Sequence, residues 1–227
     1  MRTAIMVDGG FFHRRYKRLF EYQDPATCAK QMHGMCLDHL KAKSSQERNQ
    51  LYRILFYDCP PMDKKVHLPI SGKSLDYSKT ATYKFRTEFH EELKKLRSVA
   101  IRLGELRDGE KWVVQGGVMK ELLRGDRAFQ DLTDDDFSYD LRQKGVDMKI
   151  GLDIASLSYK RLVDQIVLVA GDSDFVPAAK LARREGIDVI LDPMWQPVSD
   201  DLFEHIDGLR STLARPKRRG GADQNTD

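Results

Sequence analysis

Residues 3 to 10 read TAIMVDGG, and residues 165 to 175 read QIVLVAGDSDF. Each couples a short, β-branched apolar run to a turn of acid and glycine. Neither run alternates apolar with polar residues, as a strand with one wet face would. Such runs mark strands covered on both faces, the habit of a parallel sheet held between helices. Residues 51–57 (LYRILFY), 101–106 and 187–191 (IDVIL) supply further candidate strands. Between them lie helical ladders: Cys28, Met32, Cys36 and Leu40 within 26–43, Phe85, Phe89, Leu93 and Leu96 within 81–99, and Val146, Ile150, Ile154 and Leu157 within 146–162. This spacing puts an apolar stripe on one face of each helix. A shorter helix is expected at 175–184, with Gly186 as its stop signal. Alternating β and α elements predict an α/β fold, a three-layer α/β/α sandwich with a central, mostly parallel sheet.

Two stretches fit that scheme poorly and are read as insertions. Residues 60–78 contain three prolines and little periodicity, so an irregular excursion is expected there. Residues 108–140 carry a turn signal at Asp108-Gly109, a short strand at 112–115, a helix after Gly117 and the acidic run 134–136. The domain is expected to span 1–214. The segment 215–227 (RPKRRGGADQNTD) reads as a disordered basic tail.

The 227 residues are 41% apolar and 32% charged, enough to bury a core beneath a charged surface and to exclude a wholly disordered chain. Basic and acidic residues number 38 and 35, so a pervasive basic coat for nucleic acid is excluded, although a local track is not. No apolar run approaches the roughly 18 residues of a membrane span. Three cysteines without a CxxC pair suit a reducing compartment, and a cytoplasmic location is expected. Cys28, His33, Cys36 and His39 do not have structural-zinc spacing, and the two thiols fall on the apolar ladder, so core thiols and surface histidines are expected instead.

The chemistry is carried by where the acids fall. Asp8 follows the first strand, and Asp172 and Asp174 follow the strand at 165–170. The carboxyl ends of parallel strands form the ligand crevice of an open sheet, above all where the strand order reverses. Asp147 stands at the start of the helix leading into that second strand. Carboxylates gathered in one crevice repel each other unless a cation joins them. An all-oxygen set suits Mg2+ or Mn2+, and the matching reaction is metal-assisted phosphodiester hydrolysis. Any one of these acids alone would be read as an ordinary turn or helix cap. Asp153 lies six residues after Asp147 and so on another helix face, which gives it a supporting role. Arg14, Arg15, Lys144 and Ser173 lie close enough to the crevice to bind phosphate. Trp195, after the third strand, is the one aromatic residue placed to stack on a base. No second acid follows Asp8 two residues later, which argues against an aspartyl-phosphate enzyme, and no GxGxxG follows the first strand, which argues against a dinucleotide site.

Three pieces in this order, Met6-Val7-Asp8-Gly9-Gly10, Lys144-Gly145-Val146-Asp147 with Asp153, and Ala170-Gly171-Asp172-Ser173-Asp174-Phe175, resemble the NYN domain proteins of the LabA-like branch, within the PIN-like nuclease superfamily. The resemblance frames residues 1 to about 210. It implies the three-layer fold and a metal-dependent ribonuclease in which Asp8, Asp147, Asp172 and Asp174 bind Mg2+ or Mn2+. Hydrolysis would leave a 3′-hydroxyl and a 5′-phosphate on an RNA expected to be single-stranded. The chain departs from the pattern where Phe11 and Phe12 stand, since such proteins often carry Asn shortly after the first Asp-Gly pair. The rival reading is a non-catalytic module that binds RNA or a nucleotide in the same crevice. A homodimer is permitted by the extra apolar helix.

Overall fold

A computed structural model of the chain describes residues 1–20, 23–41 and 49–214, so the basic tail expected from 215 lies outside the described residues. The amino-terminal part runs β1 (Arg2–Asp8), α1 (Gly9–Leu19), α2 (Pro25–Asp38) and β2 (Gln50–Asp58). A small hairpin follows, β3 (Lys65–His67) and β4 (Ser74–Asp76), then α3 (Ala81–Lys95) and β5 (Val99–Leu103). Next come β6 (Glu105–Val114), α4 (Gly116–Arg124) and β7 (Phe137–Lys144). The chain continues through α5 (Val146–Tyr159), β8 (Gln165–Val169), α6 (Val176–Arg184), β9 (Asp188–Asp192), α7 (Asp200–Glu204) and β10 (Gly208–Leu209).

Six strands form one parallel sheet in the order β10-β9-β8-β1-β2-β5. The chain builds outward from β1 through β2 to β5, then crosses to the other side of β1 and builds through β8 and β9 to β10. The strand order therefore reverses between β1 and β8, the place where a parallel sheet opens a crevice at its carboxyl edge. Successive residues of β1 serve opposite layers. Ala4 and Met6 pack with Ile150 and Ile154 of α5 and with Ala179 of α6. Ile5 and Val7 pack with Phe12 of α1, Met32 and Cys36 of α2, and Phe89 and Leu93 of α3. Each of the larger aliphatic and aromatic side chains among them contributes about 1.5–3 kcal/mol, which is why the uninterrupted apolar runs declare the architecture. Several helix starts are equally legible. Asp24 accepts from Thr27 N at 2.9 Å with Pro25 in the first turn, and Thr80 accepts from Tyr83 N at 3.2 Å.

Residues 60–78 are more regular than expected, because β3 and β4 pair as an antiparallel hairpin. The second stretch differs more. The turn expected at Asp108-Gly109 is instead an irregularity inside a long β6, with Glu110 at φ +52°, and β7 is an unexpected partner strand. No residue of either strand is buried, and although β7 alternates Phe137, Tyr139 and Leu141 with polar residues, neither strand has the uninterrupted apolar run of the covered strands. The hairpin and the β6–β7 arm dock on each other. The Trp112 indole donates to the His67 carbonyl at 2.8 Å, Lys64 pairs with Asp108 at 2.8 Å, and Asp134 accepts from the amides of Ile70 and Ser71. Two glycines mark where the arm leaves and rejoins the body. A Cβ on Gly104 would meet the Lys144 carbonyl at 2.6 Å, and Gly145 adopts φ +79°.

At the carboxyl edge, the turn from β1 into α1 has no spare room. A Cβ on Gly9 would stand 2.6 Å from the Tyr57 carbonyl and 2.8 Å from the Phe56 ring. Beside it, Asp58 ends β2 fully buried, accepting from Cys59 N at 2.9 Å, with His90 Nε2 at 2.8 Å and Arg86 Nη2 in close contact. His13 Nε2 lies 3.7 Å away, and its ring meets Phe89 edge-on. Burial by itself would raise the Asp58 carboxyl, but His13, His90 and the Arg86 charge outweigh it and hold the group well below the usual carboxylate range. This cluster ties α1 and α3 to the end of β2.

Gly9→Ala is expected to cost about 1–3 kcal/mol, the usual penalty of overpacking, seen as a lowered urea midpoint at unchanged slope. An unmoved midpoint would show that the turn has slack. Asp58→Asn leaves Arg86 buried beside a neutral partner and should cost about 3–5 kcal/mol at pH 7. Because the folded carboxyl is depressed, its stabilisation is complete above about pH 4 and fades as the pH falls below that. The gap between wild type and variant should therefore narrow between urea melts at pH 7 and pH 3. A constant gap would mean the charge of Asp58 is not what matters.

Candidate functional site

The acids expected at the strand ends lie along one edge of the switch point. Asp8 is the last residue of β1. It is buried, and its Oδ1 accepts from Phe11 N at 3.1 Å, capping α1. Asp172, Ser173 and Asp174 follow β8 through Gly171 and are exposed. Asp172 accepts from Asp174 N at 3.1 Å and so starts the short turn leading into α6. Asp147 is exposed in the first turn of α5, where Gly145 offers no capping side chain.

Electrostatics link the four. Partial desolvation, then the charges of Asp172 and Asp174, push the Asp147 carboxyl up, while Arg14 pulls it down. Burial pushes Asp8 up and Asp147 adds to the rise, against the Phe11 amide and Arg14. Asp147 is thus within electrostatic reach of Asp8 and of the Asp172–Asp174 turn. Arg14 is the cation that offsets both. The floor of this space is Gly10: a Cβ there would lie 3.3 Å from Asp8 Oδ1, 3.3 Å from Gln143 Oε1 and 3.5 Å from Arg14 Nη1.

In kind, the donors fit a hard divalent cation, since they are four carboxylates with mutual repulsion that one arginine only partly relieves. In arrangement they are not a finished cage. Among the described residues, no three His, Cys, Asp or Glu side chains stand close enough together to hold an ion.

Other residues singled out from the sequence fall as follows. Arg15 donates from Nε and Nη2 to the Met194 carbonyl at 3.1 and 2.6 Å, tying α1 to the loop after β9. Lys144 is exposed and, as the neighbour of Gln143 on β7, points to the other face of the arm. Asp153 accepts from the Tyr57 hydroxyl at 2.8 Å, with Arg102 Nε at 3.4 Å, so it braces α5 against β2. Trp195 is 40% exposed, and its indole donates to the Leu213 carbonyl at 3.0 Å. Phe11 is core: its ring closes on Gly171, where a Cβ would come within 2.4 Å of it. Cys28 and Cys36 are buried, as expected, and burial pushes the Cys28 thiol up to about 12. His39 is not the surface residue expected. It is buried with Nε2 2.9 Å from Asp192 Oδ2.

Two residues at this edge escaped the sequence reading. Asp58 carries the same signal as Asp8, an acid ending a buried run, but the run was ended at Tyr57. Gln143 is a polar residue continuing the face of Phe137, Tyr139 and Leu141, so its own position carries no functional signal.

The chain is similar to three kinds of known protein. An uncharacterized protein of Methanocaldococcus jannaschii is 27% identical over 106 residues, 47% of this chain and 41% of that protein, so the match spans less than half of either. The crystal structure of a protein of unknown function from Vibrio parahaemolyticus aligns over 92% of this chain and 90% of its own, with a TM-score of 0.46 and 15% identity. Residues 88–203, just over half the chain and including Asp147, Asp172 and Asp174, match the NYN domain. With that match across the carboxyl half of the sheet and its acids, this chain belongs to the NYN domain family.

Proposed function

We propose that the protein is a metal-dependent ribonuclease of the LabA-like branch, acting on single-stranded RNA in the cytoplasm. The observation that carries this reading is the position of Asp147, within electrostatic reach of Asp172 and Asp174 and itself felt by Asp8, at the point where the strand order reverses. Asp8, Asp147, Asp172 and Asp174 would hold Mg2+ or Mn2+. An ion bound there supplies positive charge to the phosphodiester and makes water a better nucleophile at neutral pH.

The chain's own residues then have definite tasks. Asp8 is held rigidly by the Phe11 amide and by the tight turn behind it. Arg14, exposed on the first helical turns, grips a non-bridging phosphate oxygen beside Asp8. Gly10, having no side chain, lets Asp8, Arg14 and Gln143 converge at the floor. Ser173 offers a hydroxyl on the opposite wall. Lys144 lends positive potential from the arm. Arg15 acts indirectly, by fixing the loop after β9. The insertions extend the surface beside this crevice.

A second reading is a binding module of the same fold that holds RNA without cutting it. It is favoured by the lack, among the described residues, of three acids already gathered around one point.

Cleavage of single-stranded RNA with Mn2+ or Mg2+ separates these readings. Asp8→Asn and Asp172→Asn should each lower the rate by about a hundredfold or more, as expected when a charged group at the reacting centre is neutralised. Wild-type rates in either variant would point to a contaminating nuclease and sink the assignment. RNA binding with no metal-stimulated cleavage by the wild type would select the binding module.

A further inference from the structure

One neutral side chain at the crevice is explained neither by the acids nor by the phosphate-binding cations. Gln143 lies next to the end of β7, directly across from Leu106 of β6. Leu106 packs against the core beneath α5, so the face of the arm shared by Leu106 and Gln143 is turned toward the body. The amide of Gln143 reaches the crevice floor. Its Oε1 and Asp8 Oδ1 each lie 3.3 Å from where a side chain on Gly10 would begin, and Arg14 Nη1 lies at 3.5 Å. A guanidinium, a buried carboxylate and a primary amide thus converge on one point above Gly10, too close together for even a methyl group to fit between them comfortably. Gln143 is nevertheless exposed, and its amide makes no hydrogen bond with another described residue.

We propose that Gln143 reads the ribose 2′-hydroxyl of the strand held over Gly10 and so gives the crevice a preference for RNA over DNA, an inference that rests on the nucleic-acid reading of the site. The donor and acceptor inventory selects this partner. A phosphate oxygen only accepts, and Arg14 already supplies charged donors for it. The Gln143 carbonyl has nothing to take from a phosphate or a carboxylate. A hydroxyl both donates and accepts, so either end of the amide serves it, whichever way the amide is turned. The 2′-hydroxyl is the group of this kind that distinguishes the two sugars along a strand. A neutral reader also suits a floor already crowded with acids, because it adds no charge to the crevice.

The test is equilibrium binding of one single-stranded sequence, made once as RNA and once as DNA, with Ca2+ present. Wild type, Gln143→Ala and Gln143→Leu are compared, and cleavage with Mn2+ is measured in parallel. Wild type should prefer RNA by about fivefold, within the range of one neutral hydrogen bond. Both variants should lose that preference by weakening RNA alone, leaving DNA affinity where it was. Gln143 is exposed on the arm, so the variants should melt with the wild type. Equal weakening on both sugars would make the residue a phosphate contact and overturn the proposal. So would a surviving preference, a wild type indifferent to the sugar, or a fall in kcat on both sugars at unchanged affinity. Failure of the nuclease reading looks different: the wild type would bind RNA selectively and never cleave it. Binding to neither strand would overturn both.

Discussion

The approach of Gly9 to the Tyr57 carbonyl and the Phe56 ring is the constraint on which the working edge of this molecule depends. It lets α1 begin immediately after β1, with no loop between them. Asp8 can then be at once the last residue of a buried strand and the cap of a helix, its Oδ1 committed to the Phe11 amide. The same turn brings Arg14, one helical turn further on, back over the carboxylate. A looser turn would detach the acid from its cation and open the floor to bulk water.

Asp8 and Asp58 show how sheet geometry assigns opposite fates to similar sequences. Both end buried parallel strands on adjacent positions of the sheet. In register, however, Asp8 pairs with Tyr57, so Asp58 is one residue out of step and projects toward the other layer. There it meets His13, His90 and Arg86, which hold it ionised and make it an anchor. Asp8 faces the α5 side, where burial and Asp147 raise its proton affinity and Arg14 only partly restores it. One acid has an arginine and two imidazoles as partners, and the other is short of donors. That imbalance separates a structural carboxylate from the one proposed to hold a cation, and net charge summed over the chain hides it.

Much of the fold was legible because its strands are covered on both faces, so apolar runs such as IMV and IVLV admit little else. The four acids were legible for a related reason, since each follows a run or a helix start whose position the sheet dictates. The misses share a physical cause. Strand β7 (FSYDLRQK) alternates Phe137, Tyr139 and Leu141 with polar residues, but it pairs with β6 in a two-stranded arm apart from the covered sheet and lacks the uninterrupted apolar run of the core strands. Gln143 is a polar residue at the end of that alternation and is not marked by it. His39 was misread because its burial depends on Asp192, 153 positions away, a pairing that local pattern does not encode. The side-chain hydrogen bonds of Arg15 and Asp153 are equally non-local.

The glycines at 104 and 145 give the arm a further meaning. They are the points where the chain passes from the sandwich into the arm and back, and each has a reason to resist a side chain, contact with the body at one and backbone conformation at the other. Beyond Leu106, which packs against the body, the arm is held by its own strand pairing and by the small hairpin docked on its flank. The tip, where Leu123 and Phe129 lie bare, can therefore lengthen, shorten or change its chemistry without shifting the register of a core strand. The base cannot, because Gln143 and Asp147 are set by it. The arm joins a tip free to change to a root held by the body, so changes of length and chemistry are tolerated on one side of the crevice.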